Sequence, residues 1–256
     1  MKLKALFFVA ALACLLPVPA GAARGGETSG FYSLPALPPP EEYGNVLMNG
    51  VSEQEGVMAV GFSHWRHRMK YTCRVCHFEL EFGMKAGTTG VTEQASRSGR
   101  YCGACHDGVT AFGHTEPNCP RCHNGGRANW KERFDELTKG FPKTGYGSGI
   151  DWVKAVRRGF IKPKNHLGIR PPLLPFNRML WLDAEMHDIP AAVFSHKSHK
   201  LWLDCNNCHP DIFNIKKKNT KHFSMSRNLK GEFCGVCHMT VAFPLDDCFK
   251  CHPRAR

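Results

Sequence analysis

The chain has 256 residues, 22% of them charged, thirteen cysteines and a formal net charge of +12. A basic balance of this size ordinarily points to nucleic acid or an anionic surface. Beyond the leader no segment approaches the roughly 18 uninterrupted apolar residues of a membrane helix, which excludes a chain built on transmembrane spans.

Residues 1–22 open with Lys2 and Lys4, continue through an apolar run from Ala5 to Val18 and close on Ala20-Gly21-Ala22. This is the pattern of a secretory signal peptide cut before Ala23, so an exported protein is expected. Cys14 raises lipidation as an alternative, but Ala11-Leu12-Ala13 is a poor match to the residues that precede a lipidated cysteine. Residues 23–58, with Pro35 and Pro38-Pro39-Pro40, read as an extended N-terminal arm.

Residues 59–124 contain Cys73/Cys76/His77, Cys102/Cys105/His106 and Cys119/Cys122/His123, three copies of Cys-x-x-Cys-His. Residues 191–256 contain three more: Cys205/Cys208/His209, Cys234/Cys237/His238 and Cys248/Cys251/His252. Between the two sets, residues 125–190 lack cysteine and form a partly helical linker. Trp130, Phe134, Leu137 and Phe141 fall at helical spacing behind Asn129, with Gly140 near the stop, and Ser148-x-x-Asp151 predicts the cap of a second helix ending by Gly159. Arg170-Pro171-Pro172-Leu173-Leu174-Pro175 then reads as extended chain.

Each Cys-x-x-Cys-His is a c-type haem attachment signature. Two thiols form thioethers to the haem vinyl groups, and the adjacent imidazole then binds the iron from one face. Zinc is the competing reading, but a histidine fixed directly after every second cysteine fits thioether attachment and not a knuckle whose ligands are spread along the chain. A redox dithiol would need a thioredoxin-like βαβ context that this Gly- and Pro-punctuated chain lacks. Six covalently bound c-type haems, each with its iron, are therefore expected. After loss of Lys2 and Lys4, their twelve propionates and six ferric cores bring the formal charge to about +4 oxidised and about −2 reduced. The basic excess then answers propionates, and no nucleic-acid partner is expected. Runs such as Lys216-Lys217-Lys218 are solvated faces.

The motifs are ordered by an internal duplication. Phe62-Ser63-His64-x-x-His67 recurs as Phe194-Ser195-His196-x-x-His199, and the same offset of 132 carries Cys73 to Cys205 and Cys102 to Cys234. Only the last motif slips: Cys102 to Cys119 spans 17 residues, Cys234 to Cys248 only 14. The expected fold is a multihaem cytochrome of mostly irregular chain, with short α-helices wrapped around a haem core and little or no β-sheet.

Six of the fourteen histidines are proximal, which leaves eight for the distal positions. Two histidines three residues apart project from one turn, and on different irons they would hold two haems together. The sequence resembles the three-haem cytochrome c7 group, relatives of the cytochrome c3 family, through Phe-x-His-x-x-His placed shortly before the first Cys-x-x-Cys-His. The resemblance implies that His64 ligates the haem of His77 and His67 that of His106. It likewise implies His196 for the haem of His209 and His199 for that of His238. His222, between the first two motifs of the second module, would serve the haem of His252, but its counterpart in the first module is Gly90. For the haem of His123 the candidates are His114, then His187 or His166 from the linker, with Met84 and Met225 as softer ligands that would raise the potential.

Imidazole on both faces leaves no open iron and favours electron transfer over catalysis, so no catalytic residue is expected. The resemblance implies redox partners: other cytochromes, a quinol-oxidising membrane complex upstream, and an outer-membrane conduit or extracellular metal acceptor downstream. The expected location is the periplasm, the outer membrane or the cell exterior. A multihaem reductase with one open iron, and a structural subunit of a haem filament or outer-membrane conduit, are the alternatives.

Overall fold

The computed structural model describes residues 34–126, 129–172, 175–184, 188–214 and 224–254. The predicted signal peptide, the start of the arm, His187, His222 and the run Lys216 to Lys218 lie outside the described residues. Helices are short because the chain is punctuated by glycine and by attachment motifs of a single turn. Two-stranded hairpins are the only sheets among the described residues.

The two halves repeat the same order. In the first, β1 (Asn45–Met48) pairs antiparallel with β2 (Val60–Ser63), Asn45 opposite Ser63, and β2 runs straight into α1 (His64–Arg68). In the second, β3 (Met179–Leu182) pairs with β4 (Ala192–Ser195), Met179 opposite Ser195, and β4 runs into α6 (His196–His199). Strand and helix meet at a serine, since Ser63 and Ser195 are extended while the next residue is helical. Each first strand lies upstream of the residues that carry the sequence repeat. The expected extended arm and the linker thus each contribute a strand that no sequence motif marks.

Attachment motifs wind into single turns: a π-turn at Val75–Glu79, α3 (Cys119–Cys122), α8 (Gly235–His238) and α9 (Cys248–Cys251), with 3₁₀ turns at Tyr101–Ala104 and Cys205–Asn207. One turn places cysteines three apart on a common face with the histidine next to them. The helix α2 (Glu93–Arg97) precedes the second motif, as α7 (Met225–Leu229) precedes the fifth. Gly103 and Gly235 are required here, because a Cβ on either would lie 1.7 or 1.8 Å from the carbonyl oxygen of Ser96 or Asn228.

The linker folds into the apolar core of the described chain. Trp65, Phe134, Ile150, Trp152, Ala155 and Ile161 are buried together, with Met69, Trp130, Phe141, Val156 and Trp202 packed against them. The Trp65 and Phe134 rings meet edge to face at 5.1 Å. Helix α4 (Trp130–Leu137) matches the predicted periodicity, but Leu137 is on its outer side and Phe141 reaches the core from beyond its end. Helix α5 (Trp152–Arg157) starts later than predicted. Asp151 is itself the cap, accepting from the Lys154 amide at 2.9 Å, and the Ser148 hydroxyl instead accepts from Trp152 Nε1 at 2.9 Å. These aromatics pack on one another and draw in one tryptophan from each module.

Candidate haem sites

Burial decides the state of the most enclosed thiols. It pushes Cys76 and Cys237 up to about 12 and Cys102 and Cys234 up to about 11. Neutral thiols are poor metal ligands. All twelve motif cysteines are unpaired, and among the described residues no three His, Cys, Asp or Glu side chains converge on a metal position.

The imidazoles are oriented by backbone carbonyls. His77 donates Nδ1–H to Phe82 O at 2.9 Å and His106 to Phe112 O at 3.0 Å; His209 and His238 bond Phe213 O and Phe243 O at 2.5 and 2.8 Å. His64 and His196 bond the residue just before the first strand of their hairpin, Gly44 O at 2.6 Å and Arg178 O at 2.9 Å. His67 and His199 bond Ser63 O and Ser195 O, both at 2.9 Å. His123 and His252 reach back to the approach to β2 and β4, bonding Met58 O and Pro190 O, both at 2.7 Å. A carbonyl on Nδ1 fixes the tautomer and leaves Nε2 as the free lone pair, the arrangement expected of a metal-ligating histidine. Burial also lowers the pKa of His64, His67, His77, His106, His199 and His238 and so keeps those six rings neutral, His64 at about 3 and His238 at about 4.

The rings then meet in pairs. His64 and His77 lie parallel, 4° apart, with centroids 6.2 Å apart; His67 and His106 are at 6.3 Å and His199 and His238 at 6.2 Å. A metal–imidazole bond is about 2 Å long, so two rings on opposite faces of one metal have centroids about 6 Å apart. The residues present fit a haem iron between each pair. His196 and His209 are not among the ring pairs at this spacing, although each keeps its carbonyl bond. Phe62 sets the geometry of the first histidine pair, stacked on His67 at 4.4 Å and edge-on to His64 at 4.8 Å, and Phe194 repeats this at 4.3 and 4.8 Å.

His114 lines a cavity of about 270 Å³ together with His106, Asp107, Ser96 and Arg97. Its carbonyl accepts from Arg97 at 2.8 Å, and Arg97 also pairs with Glu93 on α2 at 2.7 Å. His166 bonds Gly168 O at 3.0 Å, between two residues bonded to the first attachment segment: Arg74 donates to Asn165 O at 2.9 Å, and the Leu167 amide to Glu79 at 2.8 Å. Met84 and Met225 are half-buried. The extra residues of the first module divide in two. His106 bonds a carbonyl six residues on and His238 one five residues on, and the other two extra residues lie between Phe112 and Cys119.

The family model for cytochrome c7 and related cytochromes c matches residues 60–124 and again 192–253. This chain is a duplicated c7-type multihaem cytochrome. Its cofactor is covalent c-type haem. Three solved chains are similar to this cytochrome. The C-terminal hexahaem fragment of GSU1996 is 26% identical, over 85% of this chain and 99% of that one, with a TM-score of 0.28. The dodecahaem cytochrome GSU1996 is 26% identical over 83% and 75%, at 0.28, and its N-terminal hexahaem fragment 25% identical over 82% and 99%, at 0.27. Comparison with curated proteins gives no match. No described helix of this cytochrome is long and apolar enough to cross a membrane.

The carbonyls of Gly44, Arg178, Met58 and Pro190 were invisible to sequence reasoning, because a backbone acceptor leaves no residue signature. The one available signal was a near-constant distance from each Phe-Ser-His motif, 18 residues for Gly44 and 16 for Arg178.

Proposed function

We propose that this cytochrome carries six haems and passes electrons between redox partners in the periplasm or toward the cell exterior. The observation that carries this reading is the set of half-buried, neutral imidazole pairs at 6.2–6.3 Å, each ring held at Nδ1 by a carbonyl so that Nε2 is left free. Haem supplies one-electron redox chemistry when bound. The chain's own residues fix two imidazoles per iron, exclude water and hold neighbouring sites in register.

His64 and His67 take the distal positions opposite His77 and His106, and His196 and His199 those opposite His209 and His238. For the third sites, His222 serves opposite His252, and His114 serves opposite His123, ahead of His187 and His166. Cytochromes of a quinol-oxidising membrane complex are the donors, and an outer-membrane conduit or an extracellular metal the acceptor, as the family likeness and the leader suggest. Mass spectrometry of the exported chain tests the cofactor count: six haem additions are expected, and four or fewer would overturn the reading. A carrier also shows low-spin spectra that do not change with small oxyanions or nitrogen compounds, whereas a reductase shows a high-spin iron that does.

A further inference from the structure

The two modules differ on the helices that carry their histidine pairs. Trp65, Arg68 and Met69 on and after α1 stand where Lys197, Lys200 and Leu201 stand in the second module. Trp65 is 1% exposed and packs with Met69 in the linker core, whereas Lys197 and Lys200 are at the surface and Leu201 is 43% exposed. One copy of the helix is therefore an internal surface.

Arg68 is the unusual residue on that surface. Its guanidinium donates to Val241 O at 2.7 Å and lies 5.2 Å from the centre of the Trp152 ring, and among the described residues no carboxylate pairs with it. Its counterpart Lys200 bonds Asn177 at 3.3 Å at the surface. Withdrawing a charge from water without a counter-ion costs stability, and arginine does not escape that cost by losing its proton.

The backbone that Arg68 holds follows directly on His238 of the fifth motif. Tyr43 also binds it, donating to Ala242 O at 2.7 Å. Gly44, at φ +87°, leaves room for the same loop: a Cβ there would sit 3.6 Å from Thr240 O and 3.7 Å from Val241 Cα. On the other side Arg68 is five residues from Cys73 of the first motif. Val241 is four residues beyond Cys237, so the guanidinium bridges the chain next to the first and fifth attachment segments.

We propose that Arg68 makes the haems of His77 and His238 the electronic junction between the modules. The proposal rests on the six-haem carrier reading. A fixed positive charge in a medium of low effective dielectric favours the reduced and less positive state of a nearby iron. The charge therefore raises both potentials and makes this pair the place where electrons settle when they cross. One electron leaves a ferrous iron in one module and reduces a ferric iron in the other; no bond is made or broken and no proton is required.

The test is a site-resolved redox titration of the holo-protein by NMR, comparing wild type with Arg68→Gln and Arg68→Lys. Gln keeps a donor toward Val241 O and removes the charge; Lys keeps the charge. In Arg68→Gln, the reduced-to-oxidised ratio at the wild-type midpoint should fall about tenfold for the haems of His77 and His238, a 59 mV drop for a one-electron couple. Arg68→Lys should restore most of it, and the other haems should change less than threefold. Equal shifts at all haems, no shift at these two, or no rescue by Lys would overturn the proposal. In the unaltered protein, electron exchange between modules should be fastest for this same pair, and a different fastest pair would overturn it without any variant. Haem count and low-spin spectra, recorded first, separate failure of the carrier reading from failure of this one.

Discussion

Arg74 holds Asp204 at 3.0 Å across 130 residues of chain, tying the first attachment motif of one module to the residue that opens the first motif of the other. The same guanidinium pairs with Glu79, and Asn207 of the facing turn donates to His77 O at 3.0 Å. The side chain of Arg74 is only 11% exposed, so removing it strands two half-buried carboxylates. We expect Arg74→Met to cost about 2 kcal/mol, less than the loss for a fully buried pair because water reaches both acids. Denaturant unfolding of the holo-protein, followed by release of tryptophan quenching, measures it. The double variant Arg74→Met/Asp204→Asn should recover part of the loss, and no recovery would mean that the pair is not coupled.

Phe62 and Phe194 act as spacers between the two imidazoles of each module, so trimming one should loosen ligands without touching an iron directly. Phe62→Ala is expected to let carbon monoxide bind ferrous haem in the first module, and Phe194→Ala in the second, at haems that exclude it in the wild type. Absorption spectra of the reduced protein under carbon monoxide read this out. Unchanged spectra in both variants would show that the phenylalanines do not position the ligands.

Much of this arrangement is legible in the amino-acid sequence. The six motifs, the 132-residue offset and the two histidine pairs are written in side chains whose chemistry needs fixed spacing. The periodicity of Trp130 and Phe134 likewise predicted α4. What stayed hidden depends on groups that every residue carries or on contacts between distant segments. The carbonyls that orient His64 and His123 belong to Gly44 and Met58, neither distinctive in sequence. The linker core needed Trp65 and Trp202, which sit inside the modules and outside the helical pattern of the linker. Ser148 and Asp151 could each have capped α5, and the burial of Trp152 beside Ser148 decided between them.

Asp246 lies in the loop between the fifth and sixth motifs, with one buried carboxylate oxygen lacking a partner. Burial raises its pKa. The folded state therefore holds the proton more tightly than the unfolded state, and its contribution to stability is lost as pH rises from the unfolded value through the folded one. Asp246→Asn is expected to stabilise the protein at neutral pH and to make no difference at a pH low enough to protonate the acid in both states. Unfolding midpoints at the two pH values give the comparison, and equal effects at both would assign the change to packing.

The third sites distinguish the modules. His123 and His252 are held identically, by carbonyls of Met58 and Pro190 at 2.7 Å, so any difference between these haems must come from the opposite face. In the second module the sequence offers His222 for that face; in the first it offers Gly90, and His114 lies in the stretch that the first module has gained. His222→Ala is expected to produce one high-spin haem in the second module and leave the first low-spin. His114→Ala is expected to do the reverse, and its cavity beside His106 leaves room for the truncation without collapse of the second site. Electron paramagnetic resonance of the oxidised variants reads the spin states. A fully low-spin His114→Ala protein would remove His114 from the assignment and move the search to His187 and His166. A linker ligand there would bind the haem of His123 directly to the segment that joins the modules.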